Sequence, residues 1–275
     1  MEVLFLGTGA SAGIPMPFSD DKVSEYARKK GGKENRLRTS ALIDGVMMID
    51  VSPDITSCAQ KYNLRLNALK YLLVTHSHSD HLNAEDLAAR KTFKNPNGEI
   101  ETLKICATET PTEIIKAKLK EYNSGETCAF CTPKNLETFA MNEYLVTPFS
   151  VEHMVSEDCY TYLIEKDGKT FFYCTDSGEL LEDTFTYFKE TKKKIDVVVF
   201  DCTYAFLKEN YGGHMNLTQV RKMKKRLEEI GALDKKSRVY VTHIAPAGQA
   251  THKALVKEAK KSKIKVTYDG MKIKI

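Results

Sequence analysis

The chain has 275 residues, 42% of them hydrophobic, and a formal net charge of +4. That is ample for a core and suits a single domain over residues 1–275. So mild a charge permits an anionic substrate without demanding nucleic acid. No apolar run approaches the roughly 20 residues that span a bilayer, and residues 1–7 lack the basic and apolar regions of a signal peptide. A soluble cytoplasmic protein is the expectation. Of the seven Cys, Cys106, Cys159, Cys174 and Cys202 stand singly in apolar runs and read as buried reduced thiols. Cys128-Ala129-Phe130-Cys131 is a lone CxxC with no second pair, and reads as a surface loop.

Residues 3–6 read as a first strand, entering the small-residue loop Gly7-Thr8-Gly9-Ala10-Ser11-Ala12-Gly13-Ile14-Pro15. Such a loop is either a tight turn or the lining of a site, with backbone N–H groups offered to a phosphate. It is not a GxGxxG fingerprint, and no Walker lysine follows. Residues 18–34 are polar and charged and read as a solvated surface insertion. Residues 36–43 and 46–49 form a hairpin around Asp44-Gly45. Arg36 or Arg38 could meet a phosphate, although surface pairing is the commoner fate. Asp50 closes the second strand, as an N-cap or turn residue or as a carboxylate that orients a ligand loop.

Residues 55–62 look helical. The apolar run 69–74 reads as a buried strand and runs into Thr75-His76-Ser77-His78-Ser79-Asp80-His81, with a helix from about Asn83. Three imidazoles and a carboxylate in six residues suit zinc, manganese or iron. One loop does not fill two metal shells, so further ligands are expected downstream. A strand over 103–107 and an amphipathic helix over 112–122, with Lys116, Lys118 and Lys120 outward, come next. His153 follows a β-type run. Asp176 ends the second strand of a hairpin turned by Asp167-Gly168, and His243 ends the strand 239–242. All are of ligand type and stand at strand ends, as His76 does. Residues 194–201 form a strong buried strand. His214, beside Gly212-Gly213, precedes a helix over 218–230 and is a candidate acid or phosphate contact. A last helix over about 253–261 leads to a strand ending near Tyr268, which Asp269-Gly270 turns into residues 272–275. His252 follows no strand and reads as surface.

The series His76-x-His78-x-Asp80-His81, then His153, Asp176 and His243, resembles the metallo-β-lactamase superfamily, and the likeness runs from Phe5-Leu6-Gly7-Thr8-Gly9 to Asp269-Gly270-Met271. The 7–15 loop, Arg36-Leu37-Arg38-Thr39-Ser40, Gly213-His214-Met215, Val241-Thr242-His243-Ile244 and Tyr268-Asp269-Gly270-Met271 are similar to its phosphodiesterase branch, most of all to the phosphoribosyl 1,2-cyclic phosphate phosphodiesterases of phosphonate breakdown. The resemblance implies an α/β fold, an αββα sandwich of two mixed β-sheets flanked by helices. It implies two divalent ions, Zn or Mn. His76, His78 and His153 would hold one, and Asp80, His81 and His243 the other, with Asp176 bridging. It casts His214, with Asp80, as catalytic in hydrolysis of a small cyclic or activated phosphodiester, and implies a homodimer. That branch often carries a cysteine-rich structural zinc site in the early insertion, and residues 18–34 contain no Cys. Rival readings are a tRNA 3′-processing endonuclease, for which no protruding arm is evident, a lactamase or thioesterase, and a metal-stabilised non-catalytic module binding nucleic acid.

Overall fold

The computed structural model describes residues 1–91, 100–208 and 212–275. The first half of the chain builds β1 (Glu2–Gly7), β2 (Ser40–Ile43), β3 (Met47–Ile49), β4 (Tyr71–Leu73), β5 (Leu103–Cys106) and β6 (Cys128–Cys131). The second half builds β7 (Phe139–Met141), β8 (Tyr144–Val151), β9 (Cys159–Lys166), β10 (Lys169–Cys174), β11 (Val197–Asp201), β12 (Arg238–Thr242), β13 (Ile264–Val266) and β14 (Lys272–Lys274). The helices are α1 (Lys22–Lys30), α2 (Ile55–Tyr62), α3 (Ala84–Ala88), α4 (Glu109–Glu121), α5 (Glu182–Thr191), α6 (Leu217–Glu229) and α7 (His252–Lys260). Strands run in the order β14-β1-β2-β3-β4-β5-β6 in one sheet and β13-β12-β11-β10-β9-β8-β7 in the other.

Strand side chains alternate between faces, and both faces of both sheets are apolar. Val3 and Phe5 of β1 meet Tyr162, Phe171, Tyr173, Val197 and Val199 between the sheets. Leu4 and Leu6 point outward to Ile55 and Cys58 of α2 and Leu87 of α3, beside Ile115 of α4. In the second sheet Phe172, Val198, Phe200 and Val241 face α1, α5, α6 and α7. A sheet buried on both faces needs a helical layer on each outer side, and the result is the expected αββα sandwich. Among the described residues no helix is long and apolar enough to cross a membrane.

Three local readings need correction. Residues 18–34 are not a bare loop. Asp21 caps α1, accepting from Val23 N and Ser24 N at 2.9 Å each, an arrangement worth about 1 kcal/mol. Val23 and Ala27, one turn apart, suffice to dock the helix. The CxxC is strand β6, paired in parallel with β5. Asp269-Gly270 does not turn a hairpin: β13 and β14 lie in different sheets. The Asp269 carboxylate accepts from Thr8 Oγ1 and Leu37 N, both at 2.6 Å, and carries the chain across to β1.

The parallel strands β3 and β4 of one sheet and β10, β11 and β12 of the other end at the same mouth of the sandwich, where their residues meet. Carboxyl ends of parallel strands are where such sheets present ligand-binding side chains.

Candidate metal centre

Each site residue reaches the mouth because its strand stops there. Asp50, Asp176 and His243 follow β3, β10 and β12 with φ of 60°, 47° and 59°. Left-handed backbone is uncommon outside glycine, though Asp and His tolerate it better than most. It breaks the strand at once and swings the side chain off the sheet. All three turn toward the same mouth, and backbone strain of this kind clusters at functional sites.

The side chains form two sets. His78 Nδ1 lies 2.9 Å from His76 Nε2 and 3.1 Å from His153 Nε2. His81 Nε2 lies 3.3 Å from His243 Nε2 and 3.3 Å from Asp80 Oδ2. Asp176 stands between the sets, with Oδ1 3.6 Å from His153 Nε2 and Oδ2 2.9 and 3.1 Å from the Nε2 atoms of His81 and His243. Donors on a tetrahedral centre with bonds of about 2.0–2.1 Å sit roughly 3.3 Å apart, so the observed spacings fit within a few tenths of an ångström. Asp176 Oδ2 is buried yet accepts no well-aligned hydrogen bond, an arrangement that a shared cation satisfies.

Behind the donors the same device occurs twice. Asp50 Oδ2 accepts the Nδ1–H of His81 at 2.7 Å and the Thr75 hydroxyl at 2.9 Å. Thr75 Oγ1 in turn lies 2.9 Å from His76 Nδ1. Across the mouth, Asp201 Oδ2 accepts from His214 Nδ1 and Thr203 Oγ1, both at 2.9 Å. Thr203 Oγ1 lies 2.8 Å from His243 Nδ1. One buried Asp–Thr pair in each sheet thus fixes two histidines, one directly and one through the hydroxyl. His153 Nδ1 is placed by Gly213 O at 3.1 Å. With Nδ1 engaged on His76, His81, His153 and His243, the Nε2 atoms are left to bind an ion.

Burial, then the crowding of His81, His153 and His78, pushes His76 down to about 2. Burial opposes protonation of His243 too, but Asp176, Asp201 and Asp80 raise it to about 10. Burial likewise resists protonation of His81, and Asp176 and Asp50 lift it well above its ordinary range. Asp176 lies well below the carboxylate range: His243 and His81 outweigh the burial that opposes them. Four carboxylates thus draw positive charge into the mouth, and a divalent cation would have to displace protons to take its place.

The structure brings together all seven proposed metal ligands, and His214 with them. Its ring lies 4.9 Å from that of His153 and 5.4 Å from that of His243. His78, Asp80, Asp176, His214 and His243 line a cavity of about 320 Å³ walled by residues 10–12, Met16, Tyr204 and residues 245–247. Asp50 fixes the ring of the candidate ligand His81, the geometry that one of its two readings expects. The 7–15 loop lines the cavity through Ala10, Ser11 and Ala12, but the amides of Thr8, Gly9, Ala10 and Gly13 are bonded within the protein. Gly7 and Gly9 serve close approach: a Cβ on Gly7 would meet Arg38 O at 1.9 Å.

Some residues lie elsewhere. Arg36 is buried against Thr8 and Thr267 and binds His252 Nδ1 at 2.9 Å. His252 is therefore half-buried rather than surface, and burial, Arg36 and Lys33 push it down to about 4. Arg38 pairs with Asp54. Asp201, Thr203 and the role of Thr75 escape a reading of the sequence. The one available signal is a carboxylate, Asp201, closing an otherwise apolar strand.

A family model described as a beta-lactamase superfamily domain matches residues 46–244, a span that holds every one of these candidate ligands. The chain belongs to the β-lactamase superfamily. Solved structures carry the same fold. A diphosphatase from the PhnP family aligns with a TM-score of 0.76 at 20% identity, over 100% of this chain and 97% of that one. Zn²⁺-bound PqqB from Methylobacterium extorquens gives 0.76 at 17%, over 100% of both chains. The short form of human tRNase Z gives 0.69 at 15%, over 100% of this chain and 99% of that one. No curated protein sequence matches the chain. Superfamily membership and the His/Asp cluster together support a metal-dependent hydrolase.

Proposed function

We propose that this superfamily member is a dinuclear metal-dependent phosphodiesterase acting on a small phosphodiester. The observation that carries the reading is the meeting of two donor sets across Asp176, with His214 held on the wall of the same cavity. In this reading His76, His78 and His153 would hold one ion and Asp80, His81 and His243 the other, with Asp176 placed between the two sets. When bound, such a pair, zinc or manganese, supplies Lewis-acid chemistry and a nucleophile from water at neutral pH.

The chain's own residues do the rest. Asp201 takes the Nδ1–H of His214, which leaves Nε2 for a phosphoryl oxygen or the leaving oxygen, as hydrogen-bond donor or acid. Burial works against protonation of His214, but Asp201 and Asp176 raise it, which suits a donor. The cavity walls Ala10, Ser11, Ala12, Ala245, Pro246 and Ala247 are small. Among the described residues no Lys or Arg lines the cavity. A singly charged diester asks least of such a wall.

The fold shared with a protein described as a diphosphatase makes a phosphoanhydride the second reading, and the tRNase Z likeness adds pre-tRNA. Zinc- and manganese-loaded protein should be tested on cyclic nucleotides, cyclic ribose phosphates, bis(p-nitrophenyl) phosphate, a dinucleoside diphosphate and pre-tRNA. Hydrolysis of a small diester above the others is expected. No diester hydrolysis with both ions bound would end the proposal.

A further inference from the structure

Cys128 and Cys131 are three positions apart on β6, and a strand points such positions to opposite faces. Cys128 packs on the helical side with Phe130, so the CxxC cannot act as a pair. Cys131 instead stands in register with Cys106 of β5, so the two side chains leave the sheet on the same face. Cys106 is buried and Cys131 exposed. Neighbouring strands lie about 4.8 Å apart, inside the roughly 4.4–6.8 Å window of Cα separations that a disulfide bridges. Cys131 opens into a cavity of about 440 Å³ where the edge strands β6 and β7 meet, lined also by Lys104, Phe130, Lys134, Glu137 and Phe139.

We propose that Cys131 and Cys106 form a thiol–disulfide exchange site for a small anionic peptide disulfide. The Cys131 thiolate attacks one sulfur of the incoming disulfide, forming a mixed disulfide and expelling one thiolate. The Cys106 thiol then attacks Cys131 Sγ, forming the internal bond and releasing the second thiol with the proton. Two protein thiols are oxidised and one disulfide is reduced to two thiols. The contact from Cys106, followed by the charge of Lys104, holds Cys131 below an ordinary thiol although burial opposes them. That same contact, and burial, push Cys106 up, which fits an attacking outer thiol and a resolving inner one. Lys134 pairs with Glu137 at 3.6 Å and Lys104 adds a further positive charge at the entrance, so an anionic partner is preferred.

The test uses the metal-loaded protein, glutathione disulfide as the anionic probe and cystamine as the cationic one, followed by intact mass and peptide mapping. The expected product has lost about 2 Da, with the bond mapped to Cys106–Cys131, and forms faster with glutathione disulfide. Cys106→Ala should hold a persistent glutathione adduct on Cys131, and Lys104→Gln should slow its formation severalfold. No adduct or bond at Cys131 in the unaltered protein, a bond mapped to Cys128, or equal rates with both probes would overturn the proposal.

Discussion

Asp50→Asn tests the positioning of the ligands most sharply. The side chain is fully buried and accepts from Thr75 N at 2.8 Å as well as from the Thr75 hydroxyl and His81. Asn keeps the left-handed backbone, which it tolerates well, but one oxygen becomes an NH₂. If the remaining oxygen serves Thr75 N, two donors face each other at His81 Nδ1. The imidazole must then shift its proton to Nε2, the atom 3.3 Å from Asp80 and His243. Loss of such a carboxylate costs 10–100-fold in affinity, or about 1.4–2.7 kcal/mol, at the ion held by Asp80, His81 and His243. The ion at His76, His78 and His153 should change less, because His76 reaches Asp50 only through the Thr75 hydroxyl. Chelator competition on metal-stripped protein, with elemental analysis, reads both affinities. Unchanged affinity at both sites, or equal loss at both, would refute the reasoning.

Three further outcomes follow from the same geometry. His214→Ala should lower turnover on bis(p-nitrophenyl) phosphate by about 10²–10⁴ while metal content stays near normal, and unchanged turnover would remove His214 from the mechanism. Gly7→Ala places a Cβ 1.9 Å from a backbone oxygen, and should cost about 1–3 kcal/mol of stability, visible as a lowered midpoint in thermal unfolding. Asp44 ties the sheets together by accepting from Glu2 N, Tyr144 and Lys166. Despite burial, these contacts hold its carboxyl below the usual range. A depressed carboxylate stabilises the fold above its unfolded value near 3.9, and that contribution is lost as pH falls through the folded value. Asp44→Asn should cost about 1 kcal/mol at pH 7, and the gap between variant and parent should close in urea unfolding toward pH 3.

The candidate ligands could be picked out because strand ends and metal chemistry are local signals: His76 to His81 lie in one loop, and His153, Asp176 and His243 each close an apolar run. The layer architecture came only with the family resemblance, and burial of both faces of each sheet is its physical reason. What lay hidden depends on distance in space. Asp201 reads as the end of a strand, and Thr203 gives no signal, until His214 and His243 come to rest on them. The pairing of Cys106 with Cys131 needs the β5–β6 register, and no spacing in the sequence encodes it. Arg36 and His252 are 216 positions apart, so neither gave notice of the other. Helix α1 was missed because two small apolar side chains, Val23 and Ala27, give almost no periodic signal. Helix α4 begins before Thr112 because Pro111 is acceptable in a first turn, where its missing N–H has no helical partner.

An anomalous-scattering map from crystals grown with excess Zn²⁺, recorded at the zinc edge, goes straight to the centre itself. Two peaks are expected, one among His76, His78 and His153 and one among Asp80, His81 and His243, with Asp176 reaching both. A single peak, or peaks lying away from these side chains, would contradict the two-ion site on which the proposed hydrolysis depends.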